Sequence, residues 1–189
     1  SDYQAAQEGF IQPYADSPMD DEQVGEEVYI SMINKAERYC WFMTPYLIIT
    51  DEMTHALCLA AKRGVDVRII TPGMPDKKLI YSITRSFYHG LVKNGVRIYE
   101  WTPGFCHAKM SVADDCMATC GTINLDYRSL YHHFENGCFM ADSQTVLDIR
   151  DDLGATMNEC REVTEKYRTG RSAYLRLGQL FMRLFAGLL

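Results

Sequence analysis

Long apolar runs are missing from this sequence. Nothing in its 189 residues approaches the about 18 consecutive apolar positions that a membrane span requires, so no segment in hand is expected to cross a bilayer. A signal peptide is absent too, and the chain starts at Ser1 rather than Met, which reads as a soluble piece of something longer. The seven cysteines (Cys40, Cys58, Cys106, Cys116, Cys120, Cys138, Cys160) include no CxxC pair and are odd in number. They read as small buried hydrophobes of a reducing, cytoplasm-like compartment and offer no zinc site. Basic charge is short: the net charge is −6 and the pI about 5.3. Residues 1–30 hold eight acidic side chains and no Lys or Arg. That balance lacks the electrostatic footprint of a nuclease, and no nucleic-acid partner is expected. Repeats and low-complexity linkers are also lacking. What is present, 47% hydrophobic and 23% charged residues, suits one globular domain with a sizeable core.

The apolar periodicity alternates between strand and helix. A short strand is expected over residues 9–15. Asp20 or Asp21 then caps a helix with the stripe Val24, Val28, Met32 and Ala36. Tyr39–Met43 reads as a strand. Thr50 or Asp51 caps a helix that stops at Gly64, residues 65–71 form the next strand, and Asp76 opens a helix closing at Asn94-Gly95. Strands over 96–101 and 134–141 follow, then a helix capped by Asp142 or Ser143. Strand, helix, strand, helix, strand with short connections predicts an α/β fold. Its sheet is mixed and largely parallel, covered by helices on both faces, with a hairpin adding antiparallel pairing.

The sharpest pattern is Cys106-His107-Ala108-Lys109-Met110-Ser111-Val112-Ala113-Asp114, followed by Gly121-Thr122-Ile123-Asn124. Apolar Ala108, Met110 and Val112 alternate with His107, Lys109 and Ser111, so a strand here would project the imidazole and the ammonium from one face. Asp114-Asp115 reads as the turn of a hairpin that returns Asn124 towards the histidine. A nucleophilic imidazole, a fixed cation and an amide suit a phosphodiester: the ring attacks phosphorus, while Lys109 and Asn124 hold the non-bridging oxygens. The ammonium supplies the positive charge, so this reading calls for no cofactor and no metal. Asp114, at the turn, is expected to bond backbone amides rather than transfer protons. Glu135, opening another apolar run, is the candidate acid that orients His107.

Other features are less specific. His132-His133 are adjacent, so on an extended segment they face opposite ways and make a poor metal pair. Thr44-Pro45-Tyr46 and Thr71-Pro72-Gly73 fall beyond strand ends, where they either line a pocket or merely end the strands. Tyr46 therefore stays outside the catalytic set. From about Arg171 to Leu189 a last helix carries Leu177, Leu180, Phe181, Leu184, Phe185 and Leu188 on one stripe, with Arg176 and Arg183 elsewhere. It either packs on protein or lies on an anionic membrane surface.

The spacing His-x-Lys-x4-Asp-x6-Gly-x2-Asn resembles the HKD signature of the phospholipase D superfamily. Thr44-Pro45-Tyr46, residues 63–68, Pro75-Asp76-Lys77-Lys78, residues 95–99, Pro103-Gly104-Phe105 and residues 124–129 narrow the likeness to the C-terminal catalytic half of bacterial cardiolipin synthases. The resemblance implies a phospholipase D-like α/β sandwich over residues 1–189. It implies transfer through a phosphohistidine, from two phosphatidylglycerols to cardiolipin and glycerol. His107, Lys109 and Asn124 match the signature, and Glu135 matches the histidine-orienting acid less securely. Such enzymes carry two HKD halves and N-terminal membrane segments. This chain has one signature, so a second half is the implied partner, in cis in a longer protein or as a homodimer, alongside the anionic phospholipid and a bacterial cell membrane. A homodimeric nuclease or phosphodiesterase with one signature, and a non-catalytic half that only binds lipid or its partner half, are the other readings.

Overall fold

Residues 8–169 are described by a computed structural model. The elements run β1 (Phe10–Asp16), α1 (Val24–Lys35), β2 (Tyr39–Met43), β3 (Leu47–Ile48), α2 (Asp51–Lys62), β4 (Asp66–Pro72), α3 (Lys78–Lys93) and β5 (Arg97–Trp101). They continue with β6 (Met110–Ala113), β7 (Met117–Gly121), β8 (Leu125–Asp126), α4 (Tyr127–Tyr131), β9 (Glu135–Ala141), α5 (Gln144–Asn158), β10 (Cys160–Glu162) and α6 (Thr164–Thr169). The helix expected from about Arg171 lies outside the described residues.

Why these helices begin where they do is only partly a matter of caps. Thr50 caps α2, its Oγ1 accepting from Met53 N at 3.1 Å, and Gly64 (φ +98°) ends that helix in the left-handed conformation that glycine tolerates. At α1 neither Asp20 nor Asp21 is the cap. Gln23 occupies that position without a side-chain bond, and Asp16 reaches across from β1 to accept from Gly25 N at 2.8 Å. Asp76 does not cap α3 either. Its carboxylate accepts from the Tyr46 hydroxyl at 2.5 Å and from Lys77 N at 2.6 Å, and the helix starts at Lys78.

Eight strands form one sheet in the order β1-β9-β7-β6-β2-β4-β5-β10. The expected βαβ units are there, with β2, β4 and β5 parallel and α2 and α3 as their connections. The sheet is mixed, as the sequence pattern implies, but its parallel share is smaller than expected. The hairpin β6-β7 pairs antiparallel with β2, then β9 and β1 extend that side, and β10 returns antiparallel on β5. Alternation along the strands fills both faces. Phe42, Ile69 and Ile98 meet α1, α2 and α3, whereas Met43, Ile70 and Tyr99 turn to the other face and meet Val146, Ile149, Leu153 and Met157 of α5. A second sheet of two short strands, β3 beside β8, ties the loop after β2 to the segment after the hairpin.

Candidate active site

The signature segment sits where two ladders stop. β6 pairs with β2 as far as Met43↔Met110 and with β7 as far as Met110↔Cys120. Beyond that point β2 gives way to Thr44-Pro45, and proline has no N–H to continue the ladder. The strand expected from His107 onward is therefore shorter than predicted, and residues 107–109 form an irregular lead-in to it, tied to the hairpin by Gly121 N donating to Lys109 O at 3.3 Å. Freed from the pleat, the two functional side chains part in burial. His107 is exposed with Phe105 beside it, ring centroids 5.9 Å apart, while Lys109 is only 9% exposed.

They still meet. Lys109 Nζ lies 2.9 and 3.1 Å from the two ring nitrogens of His107 and donates to the His107 carbonyl at 2.7 Å. An ammonium has only donors, so in a neutral ring the nitrogen that pairs with it presents its lone pair. Burial pulls the Lys109 ammonium below its ordinary pKa, and the carboxylates of Glu135 and Asp126 and the Cys106 thiol oppose that pull.

Asp126 was not singled out from the sequence as a site residue, although its spacing to Ser129 signals a helix cap. Its Oδ1 accepts from Ser129 N at 2.7 Å as the N-cap of α4. Burial raises its carboxyl above the usual range, and hydrogen bonds from Ser129 and Asn124 work the other way. Asn124 Nδ2 donates to Ser129 Oγ at 3.0 Å, and Asn124 Oδ1 is buried without a hydrogen-bond partner among the described residues. The two hydrogens of that amide nitrogen are thus taken by the Ser129 hydroxyl oxygen and the Asp126 carboxylate.

Glu135 opens β9. It accepts from the Thr122 hydroxyl, and its other oxygen lies 3.6 Å from His133 Nδ1. Its recorded partners are thus Thr122 and His133 rather than His107. Thr122 is fixed in turn, its N donating to Asn136 O at 2.9 Å and its Oγ1 accepting from Asn136 N at 3.0 Å. Gly121 makes this close pairing feasible: a Cβ there would collide with the Asn136 carbonyl and come within 2.7 Å of Gly137 Cα.

Asp114 lies at the far end of β6 from the histidine. Asp114 and Asp115 have φ of 53° and 63°, the positive values of a two-residue hairpin turn. The Asp114 carboxylate accepts from Glu37 N at 2.6 Å, Arg38 N at 2.9 Å and Tyr39 N at 2.8 Å. These amides belong to the entry of β2 rather than to its own turn, and the residue stitches the signature hairpin to its neighbour.

Next to Asn124 is a cavity of about 180 Å³. Its inner end is formed by Asn124, Asp126 and Ser129, its walls include Tyr46, Ile48 and Ile80, and exposed Lys77, Arg128 and His133 stand at its mouth. The loop Thr44-Pro45-Tyr46 is placed there by β3: Leu125 N donates to Thr44 Oγ1 at 3.0 Å and β3 runs parallel to β8.

Solved structures identify the architecture as the phospholipase D fold. Nuc, a phospholipase D family member from Salmonella typhimurium, superposes with a TM-score of 0.69 at 18% identity, covering 82% of this chain and 98% of its own. Phosphatidylserine synthase from Haemophilus influenzae gives 0.69 at 15%, covering 94% and 45%. At those identities the likeness is one of fold. The sequence goes further: residues 29–157 match the family described as cardiolipin synthase, PLD-like domain, and the chain belongs to that family. Among its relatives, a Streptococcus mutans protein of uncharacterised function is 49% identical across 96% of this chain and 39% of its own length. A cardiolipin synthase from Halalkalibacterium halodurans is 31% identical across 96% and 36%, and cardiolipin synthase 2 from Bacillus cereus 33% across 96% and 35%. The chain spans between a third and two-fifths of the length of these relatives.

Proposed function

We propose that this chain is a single-domain catalytic half of a bacterial enzyme that transfers a phosphatidyl group, taking two phosphatidylglycerols to cardiolipin and glycerol. The observation that carries the reading is the exposed His107 imidazole set against the buried Lys109 ammonium, 2.9 Å from a ring nitrogen. A ring nitrogen of His107 attacks phosphorus as the bond to the headgroup oxygen breaks, and that oxygen takes a proton from an imidazolium on the opposite side. In the second step a hydroxyl of the acceptor lipid forms the new P–O bond, the P–N bond breaks with its electron pair returning to His107, and the hydroxyl proton goes to that second imidazole. Lys109 and the Asn124 amide hold the non-bridging oxygens. Glu135 is assigned as a positioning residue that keeps Lys109 charged, and Asp114 as the anchor of the hairpin.

The opposite imidazole belongs to a complementary half, in cis or from a second copy, because one ring cannot attack and protonate on both sides of phosphorus. Among the described residues no helix is long and apolar enough to cross a membrane. The family match and the acidic composition, net −6, favour a lipid over a nucleic acid.

The test is mass spectrometry of lipids after incubating phosphatidylglycerol vesicles with the chain, alone and with the complementary half, beside a His107→Ala control. Cardiolipin that depends on His107 is the expected result. Phosphatidic acid without cardiolipin would make the protein a hydrolase, and no turnover with both halves present would refute the assignment.

A further inference from the structure

The cavity beside Asn124 has a polarity gradient that the reaction alone does not use. Its buried end is rich in acceptors: the Asp126 carboxylate, the Ser129 oxygen, and Asn124 Oδ1, which is buried and has no partner among the described residues. Its mouth is cationic. Lys77 and Arg128 are exposed there and, among the described residues, neither forms an ion pair; His133 stands beside them 3.6 Å from Glu135. An orphaned buried acceptor requires a donor, and two unpaired cations around a concave mouth favour an anion. At about 180 Å³ the space is below the about 300–1,000 Å³ of cavities that enclose drug-sized ligands. It suits a small headgroup.

One class of molecule satisfies both ends, a polyol carrying a phosphodiester. We propose that this cavity is the acceptor site, holding the glycerophosphate headgroup of the second lipid with its hydroxyls inward on Asn124, Asp126 and Ser129 and its phosphate outward on Lys77 and Arg128. The inference rests on the transferase reading above and adds to it a specificity determinant. The buried end is continuous with the signature: Asn124 lies three residues past Gly121, whose N donates to Lys109 O at 3.3 Å, and Lys109 Nζ touches the His107 ring. A hydroxyl held there is presented to the phosphohistidine, while the acceptor's own phosphate stays away from the reacting one. Tyr46, fixed by its hydrogen bond to Asp76, forms a rigid wall that keeps the headgroup from turning.

The experiment is calorimetric titration of the full chain with sn-glycero-3-phospho-1′-glycerol, the water-soluble headgroup, with glycerol and inorganic phosphate as separate arms. Binding of the diester, weakened about fivefold by Lys77→Ala and again by Arg128→Ala, is expected. Restoration by Lys77→Arg and no change in His107→Ala complete that pattern. Ile80→Trp, checked for folding by its thermal transition, is expected to abolish binding by filling the wall, and Lys77→Glu does the same by charge without touching the core. No binding to the unmodified chain would overturn the proposal. So would inorganic phosphate binding as tightly as the diester, indifference to both cation substitutions, or loss in His107→Ala alone, which would put the headgroup in the catalytic phosphate site. Because the titration reads binding without chemistry, failure of the transferase reading would show separately, as absent lipid turnover.

Discussion

Replacing Asp114 separates a structural from a chemical role for the third residue of the signature. Its carboxylate accepts three backbone N–H groups, from Glu37, Arg38 and Tyr39 at 2.6, 2.9 and 2.8 Å. Glu37 and Arg38 are solvent-exposed, so each bond is worth about 1 kcal/mol rather than the upper range for charged acceptors. Asp114→Ala removes all three and also puts alanine at a φ of 53°, a left-handed conformation that costs roughly a further 1 kcal/mol. A total of about 4 kcal/mol is expected. Asp114→Asn keeps one acceptor oxygen and tolerates the backbone, so about 2 kcal/mol is expected. Urea unfolding followed by tryptophan fluorescence measures both, and in heat the Ala variant should melt about 8–16 °C lower. Below its melting point the folded Asn variant should retain most of its His107-dependent turnover. A variant of unchanged stability that had lost turnover would refute this reasoning and make Asp114 a proton-transfer group.

Three further outcomes are expected. Hydrogen bonds from Arg150 first, then Tyr39 and Arg38, hold the Asp115 carboxyl down to about 2 from 3.8. A depressed folded pKa stabilises above the unfolded value and is lost as the pH falls through the folded one, so this contribution fades between about pH 4 and 2. Arg150→Ala should move acid unfolding, read by fluorescence, to higher pH, and an unmoved transition would contradict the pairing. In the pH–rate profile the alkaline limb should begin below the ordinary lysine range, because burial lowers Lys109. Glu135→Gln removes a charge that raises Lys109 and should shift that limb lower still; a shift upward would break the argument. Finally, Glu100 is fully buried on β5 and paired with Arg85 at 2.6 Å and Arg161 at 2.8 Å. Arg85→Met leaves it with one half-exposed partner and should cost about 3 kcal/mol in denaturant unfolding, near the low end for a broken buried pair; a change below 1 kcal/mol would mean that Arg161 alone suffices.

What the sequence made legible was whatever carried a period or a cap. The βαβ run from β2 to β5 has apolar stripes, Thr50 and Gly64 at the ends of α2, and glycine or proline at the breaks. The hairpin announces itself by alternation around Asp114-Asp115. What stayed hidden was shorter than a period. The β3 and β8 strands have two residues each, and β10 has three; they exist because neighbouring backbone needs partners, as with Leu125 N on Thr44 Oγ1. Those short pairings are what carry Tyr46 to the cavity, so its place could not be read from Thr44-Pro45-Tyr46 alone. Caps misled for a related reason. Asp16 and Asp76 serve distant groups, and local spacing does not reveal a partner that the fold supplies.

The fixed distances inside the signature follow from the depth at which each residue works. The four residues of β6 span about 13 Å, putting the Asp114 anchor well away from the His107-Lys109 pair. Lys109 is buried at the mouth of the ladder, and His107, two residues earlier, is clear of it. The return strand has its own constraint. Gly121 packs on the backbone of Asn136 and Gly137, so β7 and β9 approach as closely as two backbones can, and Thr122 in the next position reaches Glu135. A larger residue at Gly121 would push β9 outward and take Glu135 away from Lys109. Placement of Glu135 is thus set by backbone contacts between β7 and β9, which is the structural reason for a glycine at position 121.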